Sequence, residues 1–154
     1  MTSESIIQTH QKNAPVNIVS LAHHLGINVY SAEESKKLSG KIMKDSKLGG
    51  SSGYAIVVNS ADHPLRQRFT IAHEIAHFLL HRSEIGDGIV EDALYRSGLS
   101  TRQEVEANKL AAEILMPWHL LHDAIKENLT TIAELADRFQ VSQSAMSIRL
   151  GIPS

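Results

Sequence analysis

Two histidines one helical turn apart constrain this chain more than any other feature. From Leu65 to His81, Phe69, Ala72, Ala76 and Leu79 fall on one stripe at helical spacing, and Asp62 and Pro64 supply cap and first-turn signals ahead of it. The spacing predicts a helix lying on a core. Inside it runs His73-Glu74-Ile75-Ala76-His77. Positions i and i+4 on a helix are about 40° apart, so both imidazoles reach one ion. Glu74, one position after the first histidine, sits beside that ion as a candidate general base toward water. His81 continues the row, but its rise of about 12 Å from His73 is too long for all three to share one ion. Its expected place is the helix end, where a partly charged imidazole suits the C-terminal dipole.

The chain of 154 residues has no cysteine and nine histidines. Disulfides, thiolate zinc sites and cysteine nucleophiles are therefore excluded, and any metal must use imidazole and carboxylate donors. Such donors suit Zn2+ and also admit other divalent ions such as Mn2+. Catalytic zinc commonly takes three protein ligands and leaves a fourth corner open for water, so a fourth protein group there would argue against hydrolysis. A third ligand must come from outside the HExxH helix. The segment TRQEVEANKLAAEILM, from Thr101, reads as a helix with Ala107, Leu110, Ala111, Ile114 and Leu115 inward, and it offers Glu104, Glu106 and Glu113. Glu104 and Glu106 both border the apolar side, and periodicity does not choose between them.

Length and ordinary composition predict a single domain over residues 1–154. A formal charge of −2 removes the bulk electrostatic case for a nucleic-acid binder. The amino terminus lacks a basic region followed by an apolar one, and no run of 18 apolar residues occurs. No membrane partner is expected, and the default compartment is cytoplasmic. A short helix in Ser3–Gln11 and one in IVSLAHHL precede three β-like runs, INVYSA, SGKIM and YAIVVN, read as a small, mostly antiparallel three-stranded sheet. The second and third are joined by the glycine-rich loop 49–53. Residues 82–100 read as a loop with a short helix near Glu91–Tyr95, and helices follow, so the order is α+β. The tail, about 118–154, ends in two short helices resembling a helix-turn-helix. Between Asn128 and Ser154, Glu134 and Asp137 balance Arg138 and Arg149, so the expected use is packing or substrate docking, not direct nucleic-acid binding.

RFTIAHEIAHFLLH followed by EVEANKLAAEILMP resembles the paired signature of the ImmA/IrrE family of metallo-endopeptidases, with further likeness from PVNIVSLAHHLGINVY through GYAIVVN to VSQSAMSIRL. The likeness is to the short, mobile-element type, without the further sensor-like domain of the radiation-response members. The resemblance implies a zincin-like fold, zinc held by His73 and His77, Glu74 as catalytic base, and Glu106 as third ligand. It also implies a protein substrate, a helix-turn-helix transcriptional repressor encoded nearby. A rival expectation is a non-proteolytic, zinc-stabilised module that sequesters a repressor or acts in a toxin-antitoxin pair. Tyr54, His63, Tyr95 and Arg96 are candidate donors to a developing oxyanion.

Overall fold

The computed structural model describes residues 1–152. In chain order the elements are α1 (Ser3–Thr9), α2 (Ile18–His24), β1 (Ile27–Ala32), β2 (Leu38–Lys44), β3 (Tyr54–Asn59), α3 (Pro64–Leu80), α4 (Arg82–Ile85), β4 (Gly88–Asp92), α5 (Thr101–Leu115), α6 (Trp118–Lys126), α7 (Ile132–Phe139) and α8 (Gln143–Leu150). Three consecutive strands and the later β4 form one sheet, with helices before and after them in the chain, giving the α+β class.

The sheet differs from the expectation in two respects. It has four strands in the order β1-β3-β2-β4, and it is mixed: β1 pairs parallel with β3, whereas β2 pairs antiparallel with both β3 and β4. β3 is the unbroken apolar run, and all six of its residues are buried, as befits an interior strand. It folds back on β2 as a hairpin and inserts between β2 and the earlier β1. The expected helix near Glu91 is replaced by β4, whose Ile89 and Val90 are β-branched and pair with Ile42 and Lys41. Gly88 opens this strand at φ +152°, where an added Cβ would lie 2.5 Å from the Ile42 carbonyl oxygen. The close approach admits only glycine.

α3 crosses the sheet at another glycine. A Cβ on Gly40 would lie 2.7 Å from the Val57 carbonyl oxygen and 2.9 Å from Thr70 Cγ2, so the missing side chain lets helix and strand close up. Pro64 starts α3 at a position needing no amide donor, and the His63 ring accepts from the Leu65 amide. Ile71, Ile75 and Phe78 then pack with Ile42, Ile56 and Val58 of the sheet. α5 is closed at its start by a capping box of Ser100 and Gln103. Its Ala107 and Ala111, wholly buried, let it lie close along α3.

The tail joins the same core through Leu135, Ala136, Phe139, Val141 and Met146. Arg68 of α3 donates to the Gln140 carbonyl at 3.0 Å, and Arg149 of α8 donates to that of Met116 at 2.9 Å while stacking on Trp118. Both arginines thus serve internal contacts. Among the described residues no helix is long and apolar enough to cross a membrane.

Candidate metal centre

α3 delivers His73, Glu74 and His77 wholly buried, on the side turned toward α5 and β4. The two Nε2 atoms lie 3.1 Å apart. Two nitrogens bound to one tetrahedral zinc at 2.0 to 2.1 Å are separated by roughly 3.3 Å, so the pair is spaced as ligands of a single ion.

Two carboxylates close the arrangement. Glu104 Oε1 lies 2.6 Å from His77 Nε2, and its Oε2 lies 3.6 Å from His73 Nε2. Glu91 Oε1 lies 3.1 and 2.9 Å from the same two nitrogens. His73, Glu74, His77 and Glu91 each offer a donor atom within 4.8 Å of all the others. Glu91 was not anticipated: β4 is five residues long, and no spacing rule ties it to the HExxH helix.

Glu106 is not brought to this pair. Its Oε1 lies 3.1 Å from His81 Nε2, and its side chain is 45% exposed. Two residues along a helix turn through about 200°, so only one of Glu104 and Glu106 can face the pair, and the inward one is Glu104, 7% exposed. The carboxylate of α5 that the structure brings to the histidine pair is therefore Glu104, not Glu106, the expected third ligand. His81, at the C-cap of α3 as expected, is also buried, and its Nδ1 lies 3.0 Å from His77 Nδ1. On the other histidine of the pair, His73 Nδ1 lies 2.8 Å from Asn108 Oδ1. That contact puts a ring proton on Nδ1 and leaves Nε2 as the nitrogen turned toward the cluster.

The electrostatics call for a cation. Both oxygens of Glu74, both of Glu91 and Oε2 of Glu104 are buried without a hydrogen-bond partner. Three carboxylates confined beside two imidazoles carry a charge that neutral histidines do not balance. Burial pushes the Glu74 carboxyl up to about 8, partly offset by His73 and reinforced by Glu91. Burial disfavours a charged His73, but contacts with Glu104 and Glu91 outweigh it and raise the ring to about 10. His77 is raised for the same reasons. Glu104 is held below the usual carboxylate range, because the two imidazoles more than offset its burial. In effect protons on the imidazoles stand where a divalent ion fits. The donor set of imidazole and carboxylate is one that zinc accepts.

Of the candidate oxyanion donors, only Tyr95 lines the centre. Its ring centroid is 5.0 Å from that of His73, its hydroxyl is 3.0 Å from Thr70 Oγ1, and its backbone is left-handed at φ 56°. Tyr54 donates instead to the Gly86 carbonyl, His63 caps α3, and Arg96 pairs with Asp92 at the surface. Tyr95 and Asn108 also border a cavity of about 870 Å³ walled by apolar residues of α3, α5 and α8, Phe69, Val105 and Ile148 among them.

Comparison with known proteins gives a consistent set of likenesses. The peptidase family described as the IrrE N-terminal-like domain matches residues 21–151. The radiation response metalloprotease IrrE of Deinococcus radiodurans is 39% identical over 93 residues, covering 58% of this chain and 28% of that protein. Its counterpart in Deinococcus deserti is 37% identical over 95 residues, covering 60% of this chain and 34% of that protein. The aligned part is thus about a third or less of these curated relatives. A transcriptional regulator of Mycobacterium tuberculosis shares the fold at a TM-score of 0.60 and 18% identity, covering 97% of this chain and 45% of that one.

Proposed function

The chain belongs to the ImmA/IrrE family of metallopeptidases, and from that premise we propose that it is a zinc-dependent endopeptidase that cuts a regulatory protein. His73, His77 and Glu104 hold the ion in this reading, Glu74 is the catalytic base, and residues 1–154 work as one metallopeptidase unit, tail included. Mn2+ is a workable substitute, since imidazole and carboxylate donors serve both ions. When bound, a divalent cation supplies polarisation of a peptide carbonyl and acidifies water at the site. Glu74 then takes the proton from the attacking water and passes it to the leaving amine. Asn108 keeps the His73 ring in the tautomer that ligation needs. The substrate segment lies against the apolar cavity beside Tyr95 and Asn108. The substrate implied by the family likeness is a helix-turn-helix repressor encoded nearby.

The observation that carries this reading is Glu74. It is wholly buried and both its oxygens lack a partner, a placement that disfavours the folded state by several kcal/mol unless a cation compensates. A site built only to stabilise the fold has no use for an extra acid beside a complete ligand set. One observation favours the rival reading of a metal-stabilised module that sequesters its partner: Glu91 Oε1, 3.1 and 2.9 Å from the two histidine nitrogens, would give a bound ion a fourth protein donor, and a closed four-ligand set is the mark of structural zinc. Glu91, however, rides on a short strand at the sheet edge whose register with β2 is irregular between Leu38 and Gly40. It is the ligand best able to leave, and hydrolysis requires it to do so.

Co-expression with the repressor encoded nearby separates the two. Glu74→Gln keeps the fold and the metal and lowers cleavage roughly 10²- to 10⁴-fold, the usual contribution of a general base. Repressor inactivation by Glu74→Gln at the wild-type level, without cleavage, establishes the sequestering module instead.

A further inference from the structure

We propose that Glu106 and His81 are positioning residues for metal ligation, linked in a hydrogen-bonded chain that fixes the His77 tautomer and tightens its hold on a divalent cation. The proposal rests on the reading of His77 as a ligand. His77 Nε2 faces His73 Nε2 at 3.1 Å and carboxylate oxygens at 2.9 and 2.6 Å, so a cation at that point requires its lone pair. The ring proton must then sit on Nδ1, which lies 3.0 Å from His81 Nδ1. His81 accepts there, and its own proton is left on Nε2, 3.1 Å from Glu106 Oε1. Each link has one donor and one acceptor, and a single assignment of protons satisfies the whole chain.

Its placement suits the task. His81 is 4% exposed and pinned by its amide to the His77 carbonyl at 2.8 Å, so its ring has little freedom. Glu106 reaches it from α5 at the edge of a small surface cavity of about 440 Å³ that also contains Glu84, Arg102 and Gln103. A carboxylate behind a ligating imidazole orients the ring and raises its basicity, and loss of such a partner typically weakens metal affinity 10- to 100-fold. Here a second imidazole transmits the effect. The pair Glu104 and Glu106 thereby divides the work: one carboxylate faces the ion, and the other supports a ligand from outside.

The test is zinc affinity by chelator competition, with the melting temperature of the metal-free chain measured beside it. His81→Ala and Glu106→Ala each weaken affinity roughly 10-fold or more, with the metal-free melting temperature little changed. Glu106→Gln, which keeps an acceptor oxygen but loses the charge, falls between wild type and Glu106→Ala. The double variant His81→Ala/Glu106→Ala is no weaker than His81→Ala alone, because the first cut already severs the chain. The visible bands of the cobalt-loaded protein shift in His81→Ala. Wild-type affinity in both single variants overturns the proposal, as does a loss matched by an equal fall in metal-free stability, which marks a packing role. A wild-type chain that binds no zinc overturns the underlying reading of His77 instead.

Discussion

Asn108 Oδ1 accepts from His73 Nδ1 at 2.8 Å, so a residue of α5 sets the proton position on a histidine of α3. The two helices that carry the proposed ligands are thereby joined by a bond that leaves Nε2 of His73 facing the cluster. Asn108→Ala is expected to keep the fold and to weaken zinc affinity roughly 10-fold. Chelator competition measures it; unchanged affinity shows that Asn108 does not position His73 for ligation.

Glu104 and Glu106 differ in what they touch, and their alanine variants should differ accordingly. Glu104→Ala removes a carboxylate at 2.6 Å from His77 Nε2 and is expected to abolish retention of metal through purification. Glu106→Ala is expected to reach full occupancy at saturating zinc. Elemental analysis separates them, and the reverse pattern restores Glu106 as the ligand.

Removing Glu91 opens the fourth corner. Glu91→Ala is expected to retain the ion and to raise hydrolysis of an unstructured peptide several-fold, since water gains the place the carboxylate held. Loss of the metal in Glu91→Ala makes Glu91 a permanent ligand, and a wild-type chain without hydrolysis beside it supports the structural site.

The metal-free chain has a defined pH dependence. His73 is raised from 6.5 to about 10 and Glu74 from 4.5 to about 8, so the folded state holds these protons more tightly than the unfolded state does. Such contributions are complete below the unfolded values and are lost as pH rises through the folded ones. Melting temperature after chelator treatment should therefore fall from about pH 4.5 to about pH 10. Added zinc displaces the same protons, so the stabilisation it gives should grow with pH over that interval. A metal-free melting temperature that rises across this range contradicts the arrangement of charges described.

The legible part of the molecule is the part written in local periodicity. The α3 helix, with its two histidines and Glu74, followed from spacing, and so did the apolar face of α5; β1 to β3 were legible as short runs, β3 most plainly through Ile56, Val57 and Val58. Which strands pair was not encoded locally: β3 enters the sheet between β1 and β2, and its parallel pairing with β1 arises from chain return. β4 was hidden because five residues that open on glycine and close on two acids carry little pattern, and Glu91 was hidden with it. Glu104 and Glu106 both flank the apolar stripe of α5, and only the packing of α5 on α3 decides which one turns inward. His81 was placed at the helix end correctly, but its partners come from His77 and from α5, which the C-terminal dipole does not specify.

In the proposed site, side chains from α3 and α5 meet on one divalent ion. Elemental analysis of the purified chain, beside His73→Ala and His77→Ala, tests it most directly. One divalent ion per wild-type chain and almost none in either variant is the predicted result. Equal metal in all three, or none in wild type after zinc is supplied at neutral pH, contradicts it.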